Sequence, residues 1–247
     1  MGASEQPEPM KIVLSLGGSV LAPRDPERVG AHAEVIEDLV AEGHSVGVVV
    51  GGGTIAREYI HTARALGANE IELDQLGIDT TRVNARLLIA ALSERAVTSP
   101  ATDYETAGEA LRRDEVAVMG GVAPGQTTDA VSAALAEYAN ADLLVYATSV
   151  PGVYSADPAT DDDAHRFEAL SATELVDVIA DIEMTAGASA PVDLLAAKII
   201  ERSGVRTVVL DGTDPARVAR VVTSGDHDGT DIVPEGSDEP TYWAMND

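Results

Sequence analysis

The sequence predicts an α/β fold with a mainly parallel sheet and helices on both of its faces. Three observations predict this class. Short apolar segments typical of buried strands alternate along the chain with segments of helical spacing. Several strand segments consist almost entirely of valine, isoleucine and leucine, as strands buried on both faces do. Several also end in a glycine-rich turn that leads into a helical segment, the connection from which parallel sheets are built.

The first half of the chain begins with an apolar segment that ends at Gly17. Residues 26–42 have apolar side chains three or four positions apart with acidic residues between them, and Gly43 ends this helical pattern. In chain order, the predicted elements of this half are a strand at 12–16, a helix at about 26–42, a strand at 46–50, helices at about 54–66 and 75–92, and a strand beginning at 96–97.

The second half of the chain repeats the pattern. Its predicted elements are a strand at 116–119, a helix at about 129–139, a strand at 143–147 and a strand at 205–210. The acidic stretch 155–163 is typical of a loop. We expect a disordered leader at 1–9, one domain over 10–233 and an acidic, polar tail at 234–247, because no other change in composition divides the chain.

The charge balance is strongly acidic. The chain has 42 Asp and Glu residues against 16 basic ones, which gives a formal net charge of -26, and only Lys11 and Lys198 are lysines. A surface this negative repels nucleic acids and anionic membranes, so both are excluded as partners. Self-repulsion of this size is relieved only when salt screens it. The composition is therefore that of a halophilic protein.

Features of secreted or membrane proteins are missing from the sequence. The chain has no cysteine, which excludes disulfides and thiolate chemistry. Residues 1–10 have neither the basic nor the apolar region of a signal peptide, and no apolar run reaches the roughly 18 residues that a membrane span needs. We therefore expect a soluble, cytoplasmic protein.

Three strand segments end in glycine-rich turns, at 17–18, 51–53 and 120–125. Glycine lets backbone N–H groups approach a phosphate closely, and a following helix N-terminus favours negative charge. Three such turns at one sheet edge indicate a ligand with several phosphates, although tight turns also use glycine for structural reasons. The chain has no Gly-Lys pair, which excludes a Walker A ATPase. Residues 51–56 fit the G-x-G-x-x-G/A pattern, and Asp74 follows at suitable spacing, so a nicotinamide-dependent dehydrogenase is an alternative.

Further residues near these turns suit an anionic ligand. Thr127 and Thr128 can cap the helix that follows the third turn, or they can bind the ligand with their hydroxyl groups. Arg57 lies one helical turn beyond the triple glycine, where its guanidinium could pair with phosphate.

Taken together, the motifs resemble the amino acid kinase family, and within it the archaeal-type uridylate (UMP) kinases. The motifs that carry the resemblance are Leu-Gly-Gly-Ser-Val-Leu at 16–21, Val-Val-Gly-Gly-Gly at 49–53 with Ala56 and Arg57, Met-Gly-Gly at 119–121, Pro-Gly-x-Thr-Thr-Asp-Ala at 124–130, Gly-Val-Tyr-x-Ala-Asp-Pro at 152–158, Asp193 with 195–200, and Gly-Asp-His-x-Gly-Thr at 225–230.

The resemblance implies an αβα sandwich that phosphorylates UMP to UDP in pyrimidine nucleotide biosynthesis, with ATP as donor, Mg²⁺ as cofactor and a homohexamer as the usual assembly. No side chain is assigned as a metal ligand. The implied residues are Arg57, Asp129 and Asp193 near the reacting phosphates; Gly18, Ser19, Gly53, Arg57, Thr148, Tyr154 and Asp157 on ATP; and Gly52, Asp74, Val122, Ala123, Pro124, Gly125, Gln126, Thr127 and Thr128 on UMP.

Several of these residues have structural alternatives. Asp129 and Asp193 also suit helix starts, Asp74 suits a solvated surface, and Tyr154 suits a loop anchor. Many relatives have a lysine where this chain has Ser15, which leaves open a non-catalytic nucleotide-binding or oxyanion-storage protein on the same fold. A kinase that phosphorylates another small acidic acceptor is also an alternative.

The expected chemistry is simple. The second pKa of a phosphate monoester is about 6, so a UMP acceptor is already ionised at neutral pH and needs no general base. Catalysis then consists of positioning two polyanions and neutralising their charge.

Overall fold

The computed structural model describes residues 9–92, 95–158, 161–183 and 191–234. The elements in chain order are β1 (Lys11–Leu16), α1 (Gly18–Leu21), α2 (Pro26–Ala41), β2 (Ser45–Val50), α3 (Gly53–Ala65), α4 (Glu70–Ala91), α5 (Tyr104–Arg112), β3 (Ala117–Met119), α6 (Thr128–Ala139), β4 (Leu143–Thr148), β5 (Ala169–Ser171), α7 (Ala172–Glu183), α8 (Leu194–Ser203), β6 (Arg206–Asp211), α9 (Pro215–Ser224) and β7 (Thr230–Val233).

The strands form one sheet in the order β3-β2-β1-β4-β6-β7-β5. All neighbouring pairs are parallel except β6 and β7, which run antiparallel. The carboxyl ends of β3, β2, β1, β4 and β6 therefore lie along one edge of the sheet. The predicted α/β class with a mainly parallel sheet is confirmed.

Helices cover both faces of the sheet. Along β1 the side chains alternate, as a strand requires: Ile12 and Leu14 pack in one apolar cluster with α2, α4 and α9, whereas Val13 packs in another with α5, α6 and α8. Both clusters consist of aliphatic side chains with few aromatic rings. The sheet therefore lies between two layers of helices.

Most of the helices begin after an N-cap residue with a short polar side chain. Each cap accepts a hydrogen bond from a backbone N–H that the helix leaves unpaired. Asn69 and Glu72 form a capping box at the start of α4, with hydrogen bonds of 3.1 Å and 2.8 Å. The single-residue caps are Asp25 on α2, Asp103 on α5, Thr127 on α6, Asp193 on α8 and Asp214 on α9.

Most predicted elements are confirmed, with shifts of a few residues at their ends. The strand predicted at 96–97 is wrong: Ala96 forms only an isolated bridge to Val116. The chain then turns away through Pro100, which has no N–H for a ladder, before Ala101 bridges Met119. The elements α1, α5, α7, α9, β5 and β7 were not predicted, and α8 was anticipated only by the alternative that Asp193 starts a helix.

The predicted chain ends lie almost wholly outside the described residues. Of the leader at 1–9 only Pro9 is described, and of the tail at 234–247 only Pro234. The division into leader, single domain and tail stays a prediction. The loop at 155–163 contains neither helix nor strand in its described residues. In the part of the chain that the structure describes, every helix is too short or too polar to span a membrane.

Candidate active site

The predicted site residues collect at the carboxyl edge of the sheet. Residues 17–19 follow β1, residues 51–53 follow β2, residues 120–128 follow β3, and residues 148–158 begin at the end of β4. Asp74 reaches this edge from α4, and Asp193 reaches it from the start of α8. In open α/β sheets this is the edge at which ligands bind.

The first two glycine turns touch each other through their backbones. A Cβ atom added to Gly18 would lie 2.5 Å from the carbonyl carbon of Gly52 and 2.6 Å from Cα of Gly53. Gly53 has a φ of +62°, a conformation that favours glycine. No side chain other than hydrogen fits between these turns. Backbone N–H groups from β1 and β2 are thus brought together on one small surface.

Exposed polar side chains surround this surface. Ser19 and Arg57 are both exposed. The Arg57 guanidinium donates one hydrogen bond, of 3.2 Å, to Oγ1 of Thr54 on its own helix. That contact leaves the remaining guanidinium N–H groups accessible to a ligand.

The turn at 51–53 is held from below by α4. Asn84 is 1% exposed, and its Nδ2 donates to the carbonyl oxygens of Gly51 at 2.9 Å and Gly52 at 3.3 Å. The predicted site residues do not include Asn84. The sequence did contain a signal for Asn84, because it is a polar residue on the apolar face of a helix. Such residues are buried only when they are hydrogen-bonded.

The loop at 120–128 is held by the same helix. Oδ2 of Asp74 accepts a hydrogen bond of 2.8 Å from the backbone N–H of Gly125. Oγ1 of Thr81 accepts one of 2.7 Å from the N–H of Gly121, and Nε of Arg82 donates to the carbonyl of Gly121 at 3.3 Å. The structure thus brings Asp74 together with the loop that the sequence grouped with it. Asp74 is partly buried, and its role as a ligand residue or as a surface residue stays a prediction.

Within this loop the exposed positions face solvent as a group. They are Pro124, Gly125, Gln126 and Thr127, while Val122, Ala123 and Thr128 are partly buried. Gly125 has a φ of +79° and open space where a Cβ would lie.

Two carboxylates meet where α6 and α8 begin. Thr127 caps α6 and donates its hydroxyl hydrogen to Oδ2 of Asp193, while Oδ1 of Asp193 accepts from the N–H of Ala196 at 2.9 Å. Asp193 is therefore a helix cap whose second oxygen faces α6. Burial and the nearby charge of Asp193 raise the pKa of Asp129 to about 7.

A buried tyrosine fixes the first turn of α6. Tyr146 is fully buried in β4, and its hydroxyl donates to the backbone carbonyl of Asp129 at 2.7 Å. Burial raises the pKa of Tyr146, so this hydroxyl stays protonated as a donor. The position of Asp129 is thus set from within the sheet.

The pair Asp129 and Asp193 suits a hard cation. Mg²⁺ prefers carboxylate oxygens, and it is usually held by one or two of them together with substrate phosphates. Among the described residues, no group of three or more His, Asp or Glu side chains has the arrangement of a complete metal site. The two aspartates alone can supply only part of the oxygen ligands that such a cation needs.

The residues predicted for the adenosine end lie along the other half of the edge. Thr148 ends β4, and its Oγ1 donates to the carbonyl of Val150 at 2.8 Å. Tyr154 forms a bridge with Arg166, and Asp157 is partly buried in the loop that follows. This loop is separated from Asp74 by the glycine turns, so the predicted ATP and UMP residues form two adjoining groups.

The adenosine-side loop is anchored to β7. Oγ1 of Thr230 accepts a hydrogen bond of 2.9 Å from the N–H of Val153 and donates one of 2.6 Å to the carbonyl of Phe167. Gly152 has a φ of +144°, and a Cβ there would lie 2.6 Å from the same Thr230 oxygen. The predicted site residues do not include Thr230, although the Gly-Asp-His-x-Gly-Thr motif contains it.

The positive charge of the site comes from arginine. Ser15 is 5% exposed within β1 and carries no charge. Lys11 stands at the opposite end of the strand, where its Nζ donates to the carbonyl of Ala139 at 2.5 Å. Arg57 lies near the start of α3, which follows the turn at 51–53, and Arg82 bonds the carbonyl of Gly121 in the turn after β3.

The dehydrogenase alternative does not fit this geometry. The dinucleotide fingerprint requires a second strand that ends near the acidic residue. Here the chain between β2 and Asp74 forms α3 and the start of α4, and Asp74 lies within that second helix.

Comparisons with known proteins agree with these observations. The model of the amino acid kinase family matches residues 10–211. A uridylate kinase of Halobacterium salinarum is 67% identical over 239 residues, which are 96% of this chain and 99% of that protein. A uridylate kinase of Haloarcula marismortui is 66% identical over 227 residues, 92% of this chain and 100% of that protein. The crystal structure of uridylate kinase from Archaeoglobus fulgidus is 47% identical with a TM-score of 0.81, and the match covers 91% of this chain and 100% of that one.

Proposed function

The chain belongs to the amino acid kinase family, and from this premise we propose that it transfers the γ-phosphate of ATP to the phosphate of UMP, forming ADP and UDP. The observation that carries the proposal is 67% identity, over nearly the whole length of both chains, to a protein named uridylate kinase. This similarity does not favour a non-catalytic nucleotide-binding or oxyanion-storage protein. The resemblance drawn from the motifs is thereby confirmed at the level of the family.

On the donor side, the touching turns of β1 and β2 bind the phosphates of ATP. Gly18, Ser19 and Gly53 supply backbone N–H groups and a hydroxyl, and the exposed guanidinium of Arg57 supplies a positive charge for the phosphates. Thr148, Tyr154 and Asp157 bind the adenosine end. The support for this assignment is that all seven residues lie at or after the carboxyl ends of β1, β2 and β4, which are neighbours in the sheet.

On the acceptor side, Gly52, Asp74 and residues 122–128 bind UMP. Gly125, Gln126 and Thr127 are exposed there, and Asp74 already bonds the N–H of Gly125. We assign the carboxylate of Asp74 to a hydroxyl group of the acceptor, because it stands beyond the turns that suit phosphate.

The transfer needs positioning and charge neutralisation more than proton removal. The UMP phosphate is ionised at neutral pH, so its oxygen can attack without a general base. Asp129 and Asp193 are the residues that would hold Mg²⁺, which would supply charge neutralisation between the two polyanions. Arg57 and the backbone N–H groups stabilise the negative charge of the transferred phosphate.

The test is ADP formation from ATP in high KCl, with and without Mg²⁺, and with UMP as acceptor. CMP, acetylglutamate and isopentenyl phosphate serve as parallel acceptors. We expect Mg²⁺-dependent turnover that is selective for UMP. Turnover selective for another acceptor would replace UMP in the proposal. No turnover with any acceptor, from folded protein that binds ATP, would contradict an enzymatic function.

A matched pair of variants tests the acceptor site. Asp74→Asn should raise KM for UMP and leave KM for ATP unchanged, because Asp74 lies on the acceptor side. Asp79→Asn, five residues further along α4, is the control: Asp79 is exposed and accepts a bond from Gln75 on its own helix. Equal effects of the two substitutions would contradict the assignment of Asp74.

We also propose that the chain forms a homo-oligomer, a hexamer by resemblance. The support is a group of exposed apolar side chains on and between α3 and α4, namely Tyr59, Leu66, Ile71, Val83 and Leu87. Sedimentation equilibrium in high KCl should give the mass of an oligomer for the wild type and a lower mass for Val83→Asp. Leu195→Asp, on a helix of the opposite layer, is the control. A monomeric wild type would refute the proposal. The predicted cytoplasmic location stays a prediction.

A further inference from the structure

Helix α4 contacts two glycine turns of the candidate site through neighbouring polar side chains. Thr81 and Asn84 are one helical turn apart, and they are 6% and 1% exposed. Thr81 bonds the turn after β3, and Asn84 bonds the turn after β2. The two strands are neighbours in the sheet, with Val49 beside Met119. One rigid helix thus holds both turns.

The contact with Asn84 orients the peptide groups of the turn at 51–53. Its Nδ2 donates to the carbonyls of Gly51 and Gly52. In a trans peptide the C=O and the following N–H point in opposite directions, and the described chain has no cis peptide. The N–H groups of Gly52 and Gly53 therefore point away from Asn84. They belong to the N-terminus of α3, where N–H groups have no acceptor within the helix.

The contact with Thr81 does the same for the turn at 120–122. Its Oγ1 accepts from the N–H of Gly121 at 2.7 Å and donates to the carbonyl of Ile78 at 2.6 Å. The hydroxyl therefore has one donor and one acceptor partner and does not rotate freely. Close packing adds to this bond, since a Cβ on Gly120 would lie 2.9 Å from the backbone nitrogen of Arg82.

We propose that Thr81 and Asn84 are positioning residues that set the distance and orientation between the turn at 51–53, which contains the donor-side Gly53, and the turn at 120–122, which leads into the acceptor-side loop. The inference rests on the proposed function, because that function assigns Gly53 to ATP and the loop from Val122 onward to UMP. Neither side chain reaches the ligand surface, since both are buried beneath the turns. Their effect is on the alignment of the reacting phosphates, to which phosphoryl transfer is most sensitive.

The predicted kinetic signature is a loss of kcat rather than of binding. Each turn still offers its N–H groups when the bond to α4 is removed, so each nucleotide binds. A misplacement of about 1 Å between reactants costs up to about 100-fold in rate. We therefore expect Thr81→Val and Asn84→Ala to lower kcat by at least about tenfold, with smaller changes in KM for ATP and UMP.

Thr80 provides a matched control next in the sequence. Thr80 is also 6% exposed, but its Oγ1 donates at 2.8 Å to the carbonyl of Leu76 on the same helix. Thr80→Val therefore removes a buried hydroxyl without touching either turn, and it should leave kcat close to that of the wild type. Thr81→Ser keeps the hydroxyl and should restore kcat. Urea unfolding in high KCl measures the stability of each variant.

The outcomes separate this inference from the proposed function. If the wild type phosphorylates UMP and Thr81→Val loses no more kcat than Thr80→Val, the inference is overturned and the function stands. Failure of Thr81→Ser to restore kcat would also overturn it, because the hydroxyl would not be the group that acts. If the wild type does not phosphorylate UMP, the proposed function fails and the inference fails with it.

Discussion

Substitution of Gly18 by alanine tests the backbone contact between the turns of β1 and β2. The added Cβ would lie 2.5 Å from the carbonyl carbon of Gly52 and 2.6 Å from Cα of Gly53, whereas real Cβ atoms essentially never come closer than 3.0 Å. The backbone nitrogen of Gly53 would lie nearer still, at 2.2 Å, so the two backbones must separate by about 0.8 Å. Overpacking of this kind costs about 1–3 kcal/mol of stability.

The same displacement should reduce activity, because Gly18 and Gly53 are both assigned to the ATP phosphates. A shift of this size predicts a loss of kcat/KM of at least about tenfold. The assay is Mg²⁺-dependent ADP formation with UMP in high KCl, together with urea unfolding. Gly30→Ala is the control: Gly30 lies inside α2 with nothing within 4 Å of an added Cβ. That substitution should stabilise the protein by about 0.5–1 kcal/mol and leave activity unchanged.

Two results would refute the reasoning on Gly18. Wild-type kcat/KM in Gly18→Ala would show that the ATP phosphates do not depend on the contact between the turns. An unfolding free energy equal to that of the wild type would show that the turns separate without cost, so that the close contact does not constrain the fold.

Three further predictions concern charged groups. Arg57→Ala should lower kcat strongly at an unchanged urea midpoint, because the exposed guanidinium bonds only Thr54 among the described contacts; an unchanged kcat would make Arg57 a surface residue. Because the pKa of Asp129 is raised to about 7 against about 3.9 when unfolded, the native state keeps a proton that the unfolded chain loses between about pH 4 and 7. The stability contributed by Asp129 thus falls as pH rises through this window. The unfolding free energy of Asp129→Asn should therefore increase relative to that of the wild type as pH rises. A difference between the two proteins that stays constant with pH would contradict the raised pKa. Raising KCl from about 0.1 M to 1 M shortens the Debye length from about 10 Å to 3 Å, so the net charge of -26 predicts a rising urea midpoint, and a midpoint independent of salt would contradict it.

The sequence predicted the central strands because their apolar character is continuous. Continuous apolar segments such as Val46–Val50 bury their side chains on both faces only inside a sheet, and the glycines after them mark where each strand ends. The helical spacing predicts the start of α4 about five residues too late, although Asn69 and Glu72 have the spacing of a capping box. The prediction of a strand at 96–97 was wrong because a pair of apolar residues is too short to distinguish a strand from a single bridge.

The parts of the candidate site that lie within one short sequence motif were predictable. The contacts between side chains and backbone groups far apart in the sequence were not. Glycine turns and Arg57 lie close to one another in the sequence. The contacts of Asn84 with Gly51, and of Thr230 with Val153, join residues far apart in the chain, and pattern alone does not reveal them. The antiparallel pairing of β7 is equally a product of tertiary packing.

The helix caps divide the acidic residues of this protein into two classes. Asp25, Asp103 and Asp214 are bound to backbone N–H groups, and the bond to Thr106 lowers the pKa of Asp103. Exposed carboxylates on helix faces, such as Glu34 and Asp38, are not caps. A version of this chain meant to fold in dilute buffer should therefore exchange the facial carboxylates for neutral or basic residues and keep the capping aspartates. Aspartate thus serves in this chain both as an exposed surface charge and as a helix cap, but only the exposed surface charges can be replaced without removing caps.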